Sequence, residues 1–330
     1  MVFGKKKGDT KSTTIFYATD LHGSTICFKK FINAALYYRS KGQPVSVVIM
    51  GGDVAGKLIV PIIHQNGHYK SHLTGMNYDM TTQEELTGFK RSCETLGVYP
   101  KVFEPDEYAG FRGDQEGQDN LFKQLVFERL HEWVEFAEDR LSGQPITCYM
   151  SAGNDDFWEV DEILKAAEKI VVPDGEHVML DDTHEMISSG LANTTPFDCP
   201  RDLPEDVLLE RLEALAAQVQ DMSTCVFNFH VPPSRSGIDD APQLDKDRRP
   251  QIGPQGVVMA PAGSTAVRSM IERYQPLLAL HGHIHESRGS AKVGRTLCLN
   301  PGSEYSEGIL RGLLVTISRE KVVSHMMTSG

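Results

Sequence analysis

Residues 13–22, TTIFYATDLH, and residues 45–53, VSVVIMGGD, flank a stretch of helical character and decide the fold. Each apolar run has the length and the continuous hydrophobicity of a strand that is buried on both faces. Between them, residues 24–40 place apolar side chains at helical spacing, and Gly42 is suited to end that helix. This order of strand, helix and strand predicts two parallel strands joined by a crossover helix, and therefore an α/β protein.

The same alternation continues after an interruption. Residues 57–145 break the rhythm, because two apolar segments flank Asn66–Gly67, which is a strong two-residue hairpin signal, and a long helical pattern follows. We therefore expect residues 1–12 to be a flexible tail and residues 13–330 to form one domain, with 57–145 as an insertion of hairpin and long helix. Outside the insertion, strands are predicted at 146–150, 184–189, 224–229, 277–280, 296–299, 312–318 and 322–326, and helices at 204–219 and from Ser264 onward.

Composition limits the classes of partner. The chain has 330 residues and a formal net charge of −12, which argues against a general surface for nucleic acid or acidic membranes. Its six cysteines are scattered without CxxC pairs, as is typical of reduced thiols in a cytosolic protein. No apolar run approaches the ~20 residues that a membrane span needs. The start, MVFGKKKGDTK, runs into Asp20 after a short apolar stretch, so we expect no export signal and a cytoplasmic location.

Side chains that can bind metals recur just after the predicted strands. In a layered α/β fold those strand ends converge on one crevice, where sites are normally built. Carboxylate and imidazole suit manganese, iron or zinc, and soft thiolates are absent from the set. One carboxylate must bridge two ions, and Asp53 is the natural candidate because Gly51–Gly52 let the backbone approach closely. The predicted metal ligands are Asp20, His22, Asp53, Asn154, His230, His283 and His285.

The order of these motifs resembles the calcineurin-like metallophosphoesterase family. The family pattern D-x-H, G-G-D, G-N-x-D, a lone His and G-H-x-H stands here as DLH, GGD, GNDD, FHVPP and GHIH, and NPGS at 300–303 resembles a further segment. The resemblance implies a four-layer α-β-β-α sandwich of two mixed sheets flanked by helices. It also implies that one metal is held by Asp20, His22, Asp53 and His285, and the other by Asp53, Asn154, His230 and His283.

One position departs from the family pattern. The family usually has His after the Asn, as G-N-H-[DE], and that His is assigned to stabilising the transition state or protonating the leaving group; here Asp155 takes its place. The expected catalytic residues are Asn154, Asp155 and His230. The resemblance implies a metal-dependent phosphoric ester hydrolase, in which a hydroxide bridging two divalent or trivalent ions attacks a small phosphorylated substrate.

Several alternatives stay open at this level. A phosphodiesterase is favoured, with a phosphomonoesterase or nucleotide pyrophosphatase next, and a nuclease or an inactive binding scaffold of the same fold after these. A P-loop ATPase is rejected, because GGDVAGKL at 51–58 matches G-x-x-x-x-G-K but continues with Leu58 where Ser or Thr is required. The insertion is expected to shape substrate access or a contact between subunits of a homo-oligomer, without contributing a metal ligand.

Overall fold

The computed structural model describes residues 12–330. The predicted tail therefore lies outside the described residues, except for Ser12, which already begins the first strand. Within this part of the chain, no helix combines the length and the apolar character needed to cross a lipid bilayer.

A mixed six-stranded sheet holds the first strands of the chain and its last two. Across the sheet the order is β22 (Lys321–Ser329), β21 (Arg311–Ser318), β1 (Ser12–Ala18), β2 (Val45–Met50), β7 (Thr147–Met150) and β8 (Ile170–Val171). Strands β1, β2, β7 and β8 run parallel, whereas β21 pairs antiparallel with both β1 and β22. The parallel pair predicted from residues 13–53 is thus confirmed.

A second six-stranded sheet is also mixed. Its order is β19 (Gly289–Val293), β20 (Thr296–Asn300), β18 (Leu278–Leu280), β13 (Val226–Phe229), β10 (Glu185–Ser189) and β9 (His177–Met179). The four inner strands are parallel, and the two edge strands β19 and β9 are antiparallel to their neighbours. All carboxyl ends of the inner strands therefore lie along one edge of the sheet.

Alternating side chains on the strands divide the core into layers. Ile15 and Tyr17 of β1 pack between the sheets, together with Met186 and Leu280 of the second sheet, whereas Phe16 faces the helices outside the first sheet. The first sheet is covered by α1 (Thr25–Ser40), α4 (Gln115–Leu141) and α5 (Val160–Lys165), and the second by α6 (Glu205–Ala216) and α7 (Thr265–Tyr274). The predicted four-layer α-β-β-α sandwich is confirmed.

Residues 59–111 form a separate layer beside the sandwich. Four strands pair in the order β5 (Met76–Met80), β4 (His68–Leu73), β3 (Ile59–Gln65) and β6 (Tyr99–Phe103), with α2 (Gln83–Thr95) and α3 (Pro105–Phe111) between and after them. The predicted hairpin is present, and Asn66 and Gly67 have the positive φ angles, 55° and 78°, that its two-residue turn requires. The long helix α4 instead packs in the main core through Leu130 and Trp133. The boundaries of the predicted insertion, 57–145, stay a prediction.

Short two-stranded ribbons connect the larger elements. They are β11 (Ala192–Asn193) with β12 (Asp202–Leu203), β14 (Asp240–Pro242) with β17 (Met259–Pro261), and β15 (Ile252–Gly253) with β16 (Gly256–Val257). A single 3₁₀ turn at Tyr305–Glu307 follows the last strand of the second sheet.

Candidate metal centre

The seven predicted ligands lie in the loops that leave five parallel strands. Asp20 and His22 follow β1, Asp53 follows β2, Asn154 follows β7, His230 follows β13, and His283 with His285 follows β18. Backbone hydrogen bonds connect these loops. The amide of His22 donates to the carbonyl of Asp53 at 3.0 Å, and the amide of Gly282 donates to the carbonyl of His230 at 2.8 Å. The structure therefore brings the ends of both sheets together at one crevice, as the strand-end pattern predicted.

The backbone at these ligands is unusual. Asp20, His22, Asp53 and His283 have positive φ angles of 55°, 41°, 52° and 65°. Left-handed backbone costs free energy in residues other than glycine and is often found at functional sites.

Two glycines in the motifs allow the loops to approach closely. A Cβ added to Gly153 would lie 2.1 Å from Asp53 Oδ1, and one added to Gly282 would lie 2.4 Å from Asp20 Oδ2. The glycines of GNDD and GHIH are thus required because no side chain fits between the carboxylates and the neighbouring loops.

Asp20, His22 and His285 form one cluster, in which a ligand atom of each lies within 4.8 Å of the others. His285 Nε2 is 3.3 Å from Asp20 Oδ1, and His22 Nε2 is 3.0 Å from His285 Nε2. Asp20 and His22 are fully buried, whereas the His285 side chain is 27% exposed. The opening of the crevice therefore lies on the His285 side of this cluster.

Asp53, His230 and His283 form the second cluster, with ligand atoms again within 4.8 Å of one another. His230 Nε2 is 3.3 Å from Asp53 Oδ2, and His283 Nδ1 is 2.9 Å from Asn154 Oδ1, so Asn154 belongs to this group.

One carboxylate of each cluster also approaches a histidine of the other cluster. Asp53 Oδ2 is 3.7 Å from His22 Nε2, and Asp20 Oδ1 is 3.9 Å from His230 Nε2. Either carboxylate can therefore reach both clusters, and the choice of Asp53 as the bridge stays a prediction.

The unpaired ligand atoms fit a metal. His230 Nδ1 donates to the carbonyl of Gly51 at 3.0 Å, which leaves the buried Nε2 lone pair facing the Asp53 carboxylate without a hydrogen-bond partner. A lone pair and a carboxylate oxygen at this distance repel each other unless a proton or a metal ion lies between them. Oxygen and imidazole donors without thiolates suit manganese, iron or zinc.

Charge and burial act in opposite directions on the histidines. Burial alone lowers the pKa of His230, but the Asp53 carboxylate raises it to about 10. Burial lowers the pKa of His22 to about 3, against the opposing charge of Asp53, and lowers the pKa of His283 to about 4. In the metal-free protein, His230 therefore holds the proton that a metal ion would replace.

Sequence reasoning missed several residues that position the ligands. Asp202 Oδ1 accepts a hydrogen bond from Asn154 Nδ2 at 2.9 Å, and this directs the Asn154 oxygen toward His283. The buried Asp156 carboxylate accepts the amides of Val54, Ala55 and Gly153 at 2.9, 2.8 and 2.7 Å, and so joins the loops that carry Asp53 and Asn154. The second Asp of GNDD was the available signal for Asp156; no sequence spacing signals Asp202.

Asp155 is held by two further residues that were not predicted to lie at the site. Its carboxylate forms an ion pair with Lys57 at 2.6 Å and accepts from Cys199 Sγ at 2.7 Å. Its backbone amide donates to Asp53 Oδ1 at 3.1 Å, so Asp155 adjoins the second cluster directly.

Comparisons with known proteins extend these observations. No family model matches the sequence. The uncharacterized protein MJ1162 of Methanocaldococcus jannaschii is 29% identical over 117 residues, which cover 35% of this chain. The matched stretch spans only 46% of that relative's own length.

Solved structures resemble the whole chain at low sequence identity. One crystal structure has a TM-score of 0.55 and 14% identity, with 97% of this chain and 99% of that chain covered. The protein TT1561 of Thermus thermophilus has a TM-score of 0.49 and 14% identity, covering 94% and 100% of the two chains. A structure described as a novel phosphatase from Mycoplasma pneumoniae has a TM-score of 0.44 and 10% identity, covering 97% and 94%. Taken with the layer order, the first match shows that the chain shares its overall four-layer fold with a solved structure.

Proposed function

We propose that this chain is a metal-dependent phosphoesterase that hydrolyses a small phosphate ester, with a preference for diesters. The observation that carries the proposal is the convergence of seven oxygen and nitrogen donors from five loops into two adjoining clusters. Two carboxylates that approach both clusters suit a pair of ions that share a ligand.

Some residues would bind the metal ions, and others would orient the metal-binding side chains. Asp20, His22 and His285 would hold one ion, and Asn154, His230 and His283 the other, with Asp53 shared. When bound, such ions supply positive charge for the phosphoryl oxygens and lower the pKa of water. The carbonyl of Gly51 fixes the His230 ring, and Asp202 fixes the Asn154 amide. Both metal-binding side chains therefore keep their orientation when no metal is bound.

The exposed rim of the site indicates how substrate approaches. Side-chain exposure rises from 0–4% at His22, Asp53 and His230 to 22% at Asp155 and 49% at Lys57. The phosphoryl group would therefore enter past the Lys57–Asp155 pair. A diester carries one negative charge at neutral pH, whereas a monoester carries up to two, and a protein of net charge −12 repels the diester less.

Metal analysis combined with a substrate panel tests the proposal. Protein loaded with manganese should hold about two ions per chain and should cleave a nitrophenyl diester faster than the matching monoester. His283→Ala should lose metal and activity, whereas His64→Ala, which removes a partly exposed histidine paired with Glu104, should keep both. Loaded protein that cleaves neither class of ester would refute the proposed function, and faster monoester cleavage would refute the preference.

A further inference from the structure

Lys57 is placed at the metal centre by a rigid loop. The residues before it are fixed by buried hydrogen bonds: Asp156 accepts the amide of Ala55 at 2.8 Å, and the amide of Gly56 donates to the Tyr99 hydroxyl at 2.8 Å. Gly56 packs so tightly that an added Cβ would lie 1.9 Å from the carbonyl oxygen of Gly97. The backbone of Lys57 is therefore fixed, although its side chain is 49% exposed.

The ammonium group of Lys57 is oriented by the residue that departs from the family pattern. Asp155 Oδ2 lies 2.6 Å from Lys57 Nζ and 3.8 Å from His22 Nδ1. The Asp155 side chain forms a candidate ligand group with His22 and Asp53, so the ion pair adjoins the place where a phosphoryl group would sit. A lysine held by one carboxylate oxygen keeps two ammonium hydrogens free for another acceptor.

The charge of Lys57 balances that of Asp155 at the rim of the site. Without Lys57, the Asp155 carboxylate would lose its ion-pair partner and would repel an incoming phosphate. The pair instead presents a cation on the side from which substrate would approach.

We propose that Lys57, held by Asp155, binds a non-bridging phosphoryl oxygen of the substrate. The inference rests on the proposed function and adds a substrate-binding cation to it. A preorganised donor of this kind stabilises the charge that develops on the phosphoryl group during hydrolysis. Asp155 is then a positioning residue, and the GNDD motif and the lysine of GGDVAGK act together.

Inorganic phosphate provides a probe that does not depend on turnover. Calorimetry of manganese-loaded protein should show phosphate affinity about tenfold weaker in Lys57→Met, a loss of about 1.4 kcal/mol. Hydrolysis should fall about 100-fold, as expected when one transition-state donor is lost. Lys57→Arg should bind phosphate more tightly than Lys57→Met, because the positive charge is kept.

A matched control separates substrate binding from a merely structural ion pair. Lys123 pairs with Glu159 at the same distance, 2.6 Å, and is also partly exposed, so Lys123→Met should change neither phosphate affinity nor rate. Metal content and melting temperature should be unchanged in both variants, because an exposed ion pair adds little stability.

The outcomes distinguish this inference from the proposed function. Phosphate affinity in Lys57→Met within twofold of the native value, or loss of metal from that variant, would overturn the inference. The same holds if the native loaded protein binds no phosphate. Phosphate binding that depends on Lys57 in a protein without esterase activity would support the inference and refute the proposed function alone.

Discussion

Asp156 joins two loops of the site, and its removal should weaken both the fold and the metal centre. The Asp156→Ala change deprives three buried backbone amides of their acceptor, those of Val54, Ala55 and Gly153. Each unsatisfied buried donor costs about 1–3 kcal/mol, so the three together would cost about 6 kcal/mol.

An opposing effect reduces this loss of stability in Asp156→Ala. Burial, and then the nearby Asp53 charge, raises the pKa of Asp156 to about 6, so the ionised carboxylate is itself destabilised in the fold. That rise in pKa corresponds to about 3 kcal/mol of destabilisation of the native fold at neutral pH. The alanine variant does not carry this destabilisation. We therefore expect the free energy of unfolding to fall by about 3 kcal/mol and the melting temperature to fall by about 4 °C.

Calorimetric melts and metal titration of the same samples measure both effects. Metal affinity should fall about tenfold, because Asp53 and Asn154 lose their common anchor. Asp239→Ala is the matched control: its buried carboxylate accepts the amides of Arg235, Ser236 and Gly237 at 2.7, 2.8 and 3.1 Å. This control should lose stability while keeping metal affinity. An Asp156→Ala protein that melts within 1 °C of the native protein would refute the reasoning.

Three other experiments test the predicted ligands and the four-stranded sheet within residues 59–111. Asp53→Asn should abolish hydrolysis and weaken binding of both metals with the circular dichroism spectrum unchanged, because Asn tolerates the left-handed backbone at φ 52°; retained activity would show that the bridge lies elsewhere, for instance at Asp20. The raised pKa of His230, about 10 against 6.5, means that its contribution to stability is present below pH 6.5 and lost between pH 6.5 and 10. Melts of metal-free protein across that range should show the loss, and a flat profile that matches His230→Gln would contradict it. Replacing His68 and His72 by Ala should leave metal content unchanged, since they pair with Asp79 and Asn77 within the four-stranded sheet beside the sandwich. A lower metal content would show that one of these histidines binds metal.

Much of the fold could be predicted from local sequence patterns. Continuous apolar runs located the parallel strands of both sheets except β8, and Asn66–Gly67 located the hairpin, because these features depend on residues close in sequence. The long helix α4 was expected in an insertion, yet its Leu130 and Trp133 pack in the main core. Its apolar face gave no indication of which sheet it would cover.

The site could be predicted only in part for the same reason. Strand ends predicted which side chains would meet, since carboxyl ends of parallel strands share an edge. The residues that orient them come from distant loops: Asp202 is 48 positions from Asn154, and Lys57 reaches Asp155 across the crevice. Such contacts follow from how the loops pack, which no spacing in the sequence encodes.

The left-handed backbone at the ligands has an evolutionary consequence. His22 and His283 have φ angles of 41° and 65°, which glycine adopts without steric strain. If these histidines bind metal as proposed, selection for that binding keeps a costly side chain at each position, at about 1–3 kcal/mol apiece. A descendant freed from that selection would gain stability by drifting to glycine there, while Gly153 and Gly282 would stay fixed by their tight packing. Glycine at 22 and 283 beside intact GN and GH motifs would therefore mark a relative that has abandoned catalysis and kept the scaffold.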